Sequence, residues 1–142
     1  MIALDTNILA RFYVNDKESA PQREAAKRLM EGDDEMFVPR TVMLELEWVM
    51  RGFYGFKPTD VADAMEHLLG LQKVLIEDAP MIERAVKNYR RGLDFADAMH
   101  LASAGGCSGF ATFDKRRFAN RANKLGLKPA CFSPMNGFRV KP

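Results

Sequence analysis

The chain has 142 residues, which suits one domain with a core that needs no disulfide or metal staple. Lys plus Arg is 21 and Asp plus Glu is 19, so the net charge of +2 neither indicates nor excludes a nucleic-acid partner. Since there is no secretory signal pattern, no membrane-length apolar run and no metal-spaced cysteine pair, we expect a single cytoplasmic domain over residues 1–142 with reduced thiols.

The predicted elements alternate between short apolar strands and amphipathic helices. Strands are predicted at residues 2–4, 36–38, 74–76 and 109–113, with an edge strand at 130–132. Helices are predicted at about 8–14, 20–31, 41–51, 58–68, 80–90, 92–102 and 115–124, followed by an irregular tail at 133–142. This alternation predicts an α/β fold, a three-layer sandwich with a short parallel sheet flanked by helices.

The first strand stops at a carboxylate. Residues 2–4 predict a fully buried strand, Asp5 follows it, and Thr6 and Asn7 are capping residue types that could begin a helix at Ile8. In an open α/β sheet the ligand crevice lies beyond the carboxyl ends of the strands. We therefore expect Asp5 at the mouth of that crevice, with an ordinary turn role as the alternative.

A second carboxylate, Glu45, falls inside the apolar stripe of its helix. It shares that stripe with Val42, Leu46 and Val49, whereas Glu47 is turned by about 200° and is expected to face water. A carboxylate on a buried stripe is costly unless it is paired or binds a cation. An internal salt bridge is the alternative to a functional role.

Two aspartates in the second half of the chain repeat these patterns. Asp97 lies on a helix that is apolar nearly all round, and Asp94 is a natural N-cap that would place Asp97 at the third helical position. Asp94 could have a purely structural role as that cap, or it could also be an accessory ligand. Asp114 follows an apolar strand as Asp5 does, and its alternative role is to cap the basic helix that follows.

Convergence of these acids would require a cation. Two bare carboxylates about 4 Å apart repel by roughly 4 kcal/mol at an effective dielectric of 20. A set of oxygen ligands without His or Cys suits Mg²⁺, with Mn²⁺ as the alternative. Such an ion can generate hydroxide and clamp a phosphodiester for in-line attack.

Four segments around these acids resemble the acidic motifs of a PIN domain, and the variant is most similar to VapC-type toxins of bacterial toxin–antitoxin pairs. The segments are Leu4-Asp5-Thr6-Asn7, Leu44-Glu45-Leu46-Glu47-Trp48-Val49, Leu93-Asp94-Phe95-Ala96-Asp97-Ala98 and Ala111-Thr112-Phe113-Asp114-Lys115-Arg116. The resemblance extends from Met1 to about Phe132 and implies a metal-dependent endoribonuclease.

The resemblance also implies a role for each residue. Asp5 and Asp97 would be the main Mg²⁺ ligands. Glu45 would complete the pocket and orient metal-bound water, and Asp114 would be a fourth, weaker acid. Thr6 would donate an orienting hydrogen bond, with helix capping as the alternative. The implied partners are an RNA substrate, a small VapB-like antitoxin that covers the pocket, and a second copy in a homodimer.

Basic residues between 115 and 128 could contact RNA phosphates or form a solvated face. If the helix stays regular they form one stripe of Arg117, Arg121, Lys124 and Lys128. His100 is expected to be satisfied by a neighbouring group and His67 to lie on the surface. Trp48 is expected to pack rather than to stack on a base.

Three other functions compete with the toxin. One is a PIN nuclease of RNA processing that has no antitoxin, and another is a degenerate PIN fold that only binds a partner. The third, from a different class, is an Mg²⁺-binding phosphoacceptor signalling domain. That domain needs an acid pair after the first strand and an aspartate directly after the third, where this chain has Glu77-Asp78 at a helix start.

Overall fold

The computed structural model describes residues 1–136, and the chain divides into two compact units, Met1–Ala79 and Pro80–Pro142. The strands and helices that begin in the first unit are β1 (Ile2–Ala3), α1 (Thr6–Tyr13), α2 (Ala20–Glu31), β2 (Met36–Val38), α3 (Arg40–Trp48), α4 (Pro58–Leu69), β3 (Val74–Ile76) and α5 (Ala79–Arg90). Those of the second unit are α6 (Phe95–Ser103), β4 (Phe110–Ala111), α7 (Asn120–Lys124) and β5 (Cys131–Phe132).

The first unit is built on a parallel sheet with the strand order β1-β2-β3. Ile2 is paired with Met36, which is paired in turn with Val74. Helix α1 packs against α2 and α3, and α4 contacts β3. Since the strands are parallel, their carboxyl ends share one edge of the sheet, and Asp5 follows β1 at that edge.

The prediction of a fully buried first strand is wrong. Ile2 is 39% exposed and Ala3 is exposed, and only Leu4 behind them is buried. The strand pairs with β2 and with no other strand among the described residues, so it is an edge strand of this sheet. An edge strand retains water contact, which apolar sequence alone does not reveal.

Helix α1 begins two residues earlier than predicted. Its N-cap is Asp5, whose Oδ1 accepts a hydrogen bond from the backbone N–H of Thr6 at 2.7 Å. The predicted cap was wrong because Asp5, Thr6 and Asn7 are all residue types that cap helices, and the sequence does not show which of the three is the N-cap. The consequence is that Asp5 holds a fixed orientation at the end of its strand.

The buried face of α3 is shifted from the predicted one. Glu45 is exposed, whereas Glu47 is 3% exposed and lies on the side of the buried Met43, Leu46 and Met50. The Glu47 carboxylate accepts two hydrogen bonds from Arg51 Nε, at 2.8 and 3.2 Å. The internal salt bridge weighed for Glu45 therefore belongs to Glu47.

Helix α3 continues into a π-helical turn at Val49–Phe53, which the sequence did not predict. The backbone N–H of Tyr54 donates to the carbonyl of Val49 at 3.1 Å, and that of Phe56 donates to Met50 at 3.0 Å. These wide-spaced bonds change the helical phase after Val49. Phe53 therefore does not continue the stripe expected for a regular helix.

The second unit packs helices around a two-stranded parallel sheet, β4-β5. Its core includes Ile82, Leu93 and Phe95, with the ring of Tyr89 edge-on to that of Phe95 at 5.3 Å. The predicted Asp94 cap of α6 is confirmed, because Asp94 Oδ1 accepts from the backbone N–H of Asp97 at 3.2 Å.

The basic helix is not regular, so the predicted four-residue stripe is wrong. Residues Lys115–Ala119 form a π-helical turn, α7 follows, and Lys128 lies beyond its end. Arg121 donates to the carbonyl of Gly92 at 3.0 Å instead of standing free in a row of cations. A shift from π to α geometry changes the angle between successive side chains and breaks the expected spacing.

The predicted α/β class, with short parallel strands flanked by helices in the manner of a three-layer sandwich, is confirmed. The strands form two sheets, three-stranded and two-stranded, where the sequence suggested one. Pro134–Asn136 form a 3-10 turn in the predicted irregular tail, and residues 137–142 lie outside the described residues. Cys107 and Cys131 are free, and within residues 1–136 no helix has the length and apolar character to span a bilayer.

Glu47→Gln should lower the free energy of unfolding by about 1–3 kcal/mol, because it weakens charged hydrogen bonds in a buried setting. Glu45→Gln removes the same charge two residues away from an exposed site and should change stability by no more than about 0.5 kcal/mol. Urea unfolding of both variants checks this difference. Equal stability of the two would contradict the assignment of the buried face.

Candidate functional site

The first unit contains a cavity of about 300 Å³ at the end of β1. It brings together two of the predicted acids, one from the start of α1 and one from the middle of α3. The lining residues are Asp5, Thr6, Asn7, Ala10, Arg11, Glu45, Val49, Phe53 and Tyr54. The sequence positions of Asp5 and Glu45 are forty residues apart, so their shared cavity is a product of the fold.

Asp5 and Thr6 present oxygen atoms with different hydrogen-bonding states. One carboxylate oxygen of Asp5 accepts the α1 cap bond described above. Thr6 is 4% exposed, and its Oγ1 makes no hydrogen bond within residues 1–136. The capping alternative for Thr6 is therefore wrong. A buried hydroxyl without a partner is costly, and a ligand in the cavity would give it one.

Glu45 is exposed on the cavity side of α3 and has no ion pair within the described residues. The two glutamates of this helix differ in their partners, since Glu47 is paired with Arg51 while Glu45 lines the cavity together with Asp5. Helix α3 thus places the Glu47 carboxylate in the core, paired with Arg51, and the Glu45 carboxylate at the cavity, where it has no ion pair within the described residues.

Arg11 supplies a positive charge to the same cavity. Its Nη1 donates to Tyr54 Oη at 2.7 Å, and its Nε donates to Gln22 Oε1 at 2.9 Å. No carboxylate lies within ion-pair distance of Arg11 among residues 1–136. Arg11 stands out in the sequence because it interrupts an otherwise apolar-rich helix, but that pattern indicates no role.

The second unit holds the other predicted acids at two helix starts. Asp94 caps α6, and Asp97 is the third residue of that helix and half-buried. Asp114 caps the π-helical turn through a 3.0 Å bond from the backbone N–H of Arg117, which is the alternative role considered for it, and its own N–H donates to Thr112 Oγ1 at 3.0 Å. Each cap fixes one carboxylate without neutralising it.

Burial raises the pKa of Asp97, and the negative charges of Asp94 and Asp114 raise it further. His100 acts in the opposite direction and lowers it. Asp97 is therefore close enough to Asp94 and to Asp114 to be repelled by each of them. Burial likewise raises the pKa of the Cys131 thiol, and the charge of Asp97 adds to that shift.

The aromatic and histidine predictions had mixed outcomes. Trp48 is 61% exposed, so the prediction that it packs in the core is wrong. His67 is on the surface, as expected, with its Nδ1 2.8 Å from Tyr13 Oη. His100 is exposed one turn after Asp97.

The donor set fits a hard divalent cation in chemistry. Across residues 1–136 no Lys or Arg forms an ion pair with any of the four predicted acids, and the donors are carboxylates with one unpartnered hydroxyl. Within the same residues no three His, Cys, Asp or Glu side chains form a ready-made metal cluster. The convergence of the four acids on one ion stays a prediction.

Comparison with known proteins shows similarity to a protein family and to a curated ribonuclease. The family model described as the PIN domain matches residues 2–124, most of the chain. A curated relative, the VapC ribonuclease of Aquifex aeolicus (strain VF5), is 27% identical over 130 residues, which cover 90% of this chain and 94% of the relative. The matched range includes every predicted acid.

The pKa of Asp97 should fall when a neighbouring aspartate loses its charge. Asp94→Asn and Asp114→Asn both keep a residue that can cap a helix, so each removes a negative charge without removing the cap. Each should lower the Asp97 pKa, whereas His100→Ala should raise it. Carboxyl carbon NMR titrations measure these shifts.

The same shift has a consequence for stability. A carboxyl group whose pKa is raised in the folded state destabilises that state at every pH above the pKa it has in the unfolded chain. Asp97→Asn should therefore increase the free energy of unfolding at pH 7. The gain should disappear as the pH falls below the unfolded value of about 3.9. An Asp97 pKa that is unchanged in both aspartate variants would contradict the repulsion.

Proposed function

Because the chain belongs to the PIN domain family, we propose that it is a Mg²⁺-dependent endoribonuclease that acts as the toxin of a toxin–antitoxin pair. The name of its curated relative, VapC ribonuclease, supports RNA as the substrate and the toxin role. A PIN nuclease of RNA processing without an antitoxin is the alternative within the same family.

One observation carries the proposal. None of the four predicted acids forms an ion pair with Lys or Arg within the described residues, although Glu47 nearby is paired with Arg51. Unpaired carboxylates that repel one another cost stability, and a protein that only needed a stable fold would pair them or lose them. Carboxylates left in this state favour a bound cation.

We assign the roles as follows. Asp5 and Asp97 are the main ligands of Mg²⁺, for which Mn²⁺ can substitute, and Glu45 and Asp114 complete the acidic pocket. The Thr6 hydroxyl donates a hydrogen bond that orients a carboxylate or a water molecule. Asp94 is an accessory residue, since its cap bond holds the start of α6 and thereby the position of Asp97.

When bound, the ion would supply an activated water and neutralise charge on the phosphodiester. The chain's own residues do the rest. Glu45, which is exposed and unpaired, can accept the proton of the attacking water. The caps on Asp5 and Asp114 hold both carboxylates in fixed orientations before the substrate arrives, so little reorganisation remains for the reaction.

The wider biology follows from this proposal. A toxin needs an inhibitor, so a small VapB-like antitoxin that covers the acidic pocket is the expected partner. A homodimer of one PIN domain per chain is the expected assembly, and cellular RNA as the substrate places the activity in the cytoplasm.

Asp5→Asn and Asp97→Asn should each lower Mg²⁺-dependent RNA cleavage by at least about 100-fold, because a lost ligand removes several kcal/mol of charge stabilisation. Calorimetric binding of Mn²⁺ should weaken in the same variants. Asp34→Asn removes an exposed carboxylate outside the cavity and is the matched control for net charge. Cleavage at the parent rate by either site variant would contradict the ligand assignment.

Expression of the chain alone in bacteria should arrest growth, and the Asp97→Asn variant should not, because the arrest depends on cleavage. Co-expression of the small reading frame beside its gene should restore growth and copurify with the chain. Normal growth on expression of an active, folded enzyme would favour the RNA-processing alternative.

A further inference from the structure

The cavity that holds Asp5 and Glu45 also holds an aromatic ring whose position core packing does not explain. Phe53 lines this cavity, yet it is 72% exposed. Burying a Phe side chain contributes about 1.5–3 kcal/mol to the stability of the folded state. Because the ring of Phe53 is mostly exposed, it makes little of this contribution. A single exposed phenylalanine is ordinary on a surface. Phe53, however, shares its cavity with two carboxylates that form no ion pair among the described residues, and this combination suggests a ligand-binding role.

The backbone directs Phe53 to this position. It is the last residue of the π-helical turn Val49–Phe53, directly after the helix that carries Glu45. Single π turns inside or at the end of α-helices occur often at functional sites, because they re-aim a side chain. Here the turn ends with an aromatic ring at the cavity.

The ring is braced before any ligand binds. Tyr54 packs edge-on against it, with the centroids 4.9 Å apart and the planes at 83°. The Tyr54 hydroxyl is held in turn by Arg11, which Gln22 also fixes. A stacking surface that is already ordered loses little conformational entropy when a planar group binds.

Arg11 adds a charge suited to a phosphate in the same cavity. Its guanidinium has no carboxylate partner among the described residues, and only part of its donor set is used by Tyr54 and Gln22. Arginine has five N–H donors in a planar fork that matches phosphate oxygens. An aromatic ring and a cation without a carboxylate partner among the described residues, in one cavity, are the parts of a single-strand binding groove.

We propose that Phe53 is a substrate-positioning residue that stacks on an unpaired nucleobase of the substrate, while Arg11 contacts the adjoining phosphate. The inference rests on the proposed function for the identity of the polymer. Bases inside a duplex already stack on their neighbours and cannot cover the ring, so paired RNA is excluded at this position.

The test measures binding of a ten-nucleotide single-stranded RNA in which every adenine is replaced by fluorescent 2-aminopurine. All proteins carry Asp97→Asn to keep the strand intact, which gel electrophoresis verifies. Phe53→Ala should weaken binding about 5- to 150-fold, as loss of one base–aromatic stack does, and should abolish the quenching caused by stacking. Phe53→Tyr should bind and quench as the parent does.

Trp48→Ala is the matched control, since Trp48 is another exposed aromatic on the same helical stretch and does not line the cavity. It should leave binding and quenching unchanged. In otherwise unsubstituted enzyme, Phe53→Ala should raise KM by the same factor and change kcat little, and a fully paired RNA should not respond to the variant.

Equal binding by parent and Phe53→Ala, or an equal loss in Trp48→Ala, would overturn the proposal. So would a Phe53→Ala variant that binds RNA normally but loses a protein partner or its dimer. If the parent cuts no RNA but binding still depends on Phe53, the proposed function fails and the stacking role stands. If the parent cuts RNA and Phe53 has no effect, only the stacking role fails.

Discussion

The candidate site depends on carboxylates that form no ion pair with a basic side chain in the described part of the chain. Asp5 and Glu45 share a cavity in the first unit, and in the second unit Asp97 is half-buried in the field of two other aspartates. The chain can neutralise an acid when the fold requires it, as the Arg51–Glu47 pair shows two residues from Glu45. This contrast is what supports the proposal that the unpaired acids serve a bound cation.

Helix capping fixes the orientation of three of the predicted acids. Asp5, Asp94 and Asp114 each cap a helical segment, and each gives one oxygen to a backbone N–H. A cap restricts the orientation of the side chain that makes it. In the proposed site, one oxygen of each carboxylate holds the cap and the other is available to a ligand.

The sequence predicted the features that depend on local chemistry. Strands β2 and β3 match their predicted bounds, and the Asp94 cap is confirmed. The face of α3 was mispredicted because Leu46 lies between two glutamates and helical periodicity does not show which of them shares its buried side. Glu47 is tolerated in the core only through Arg51, a side-chain pairing that an apolar pattern does not contain.

The cavity itself depends on features that sequence reasoning missed. The π turn before Tyr54 has no simple sequence signature, so neither the aim of Phe53 nor its contact with Tyr54 could be predicted. The Arg11–Tyr54 bond joins residues 43 positions apart, and such contacts follow from tertiary packing alone. The acids were identified by type and position, but their local environments came from the fold.

Crystals grown with Mn²⁺ and measured for its anomalous scattering would test most directly whether the acids form one metal site. We predict a single strong peak within bonding distance of carboxylate oxygens from both Asp5 and Asp97, and its loss in an Asp97→Asn crystal. Separate peaks at the two residues, or no peak at either in an enzyme that still cuts RNA with Mn²⁺, would contradict the four-carboxylate site.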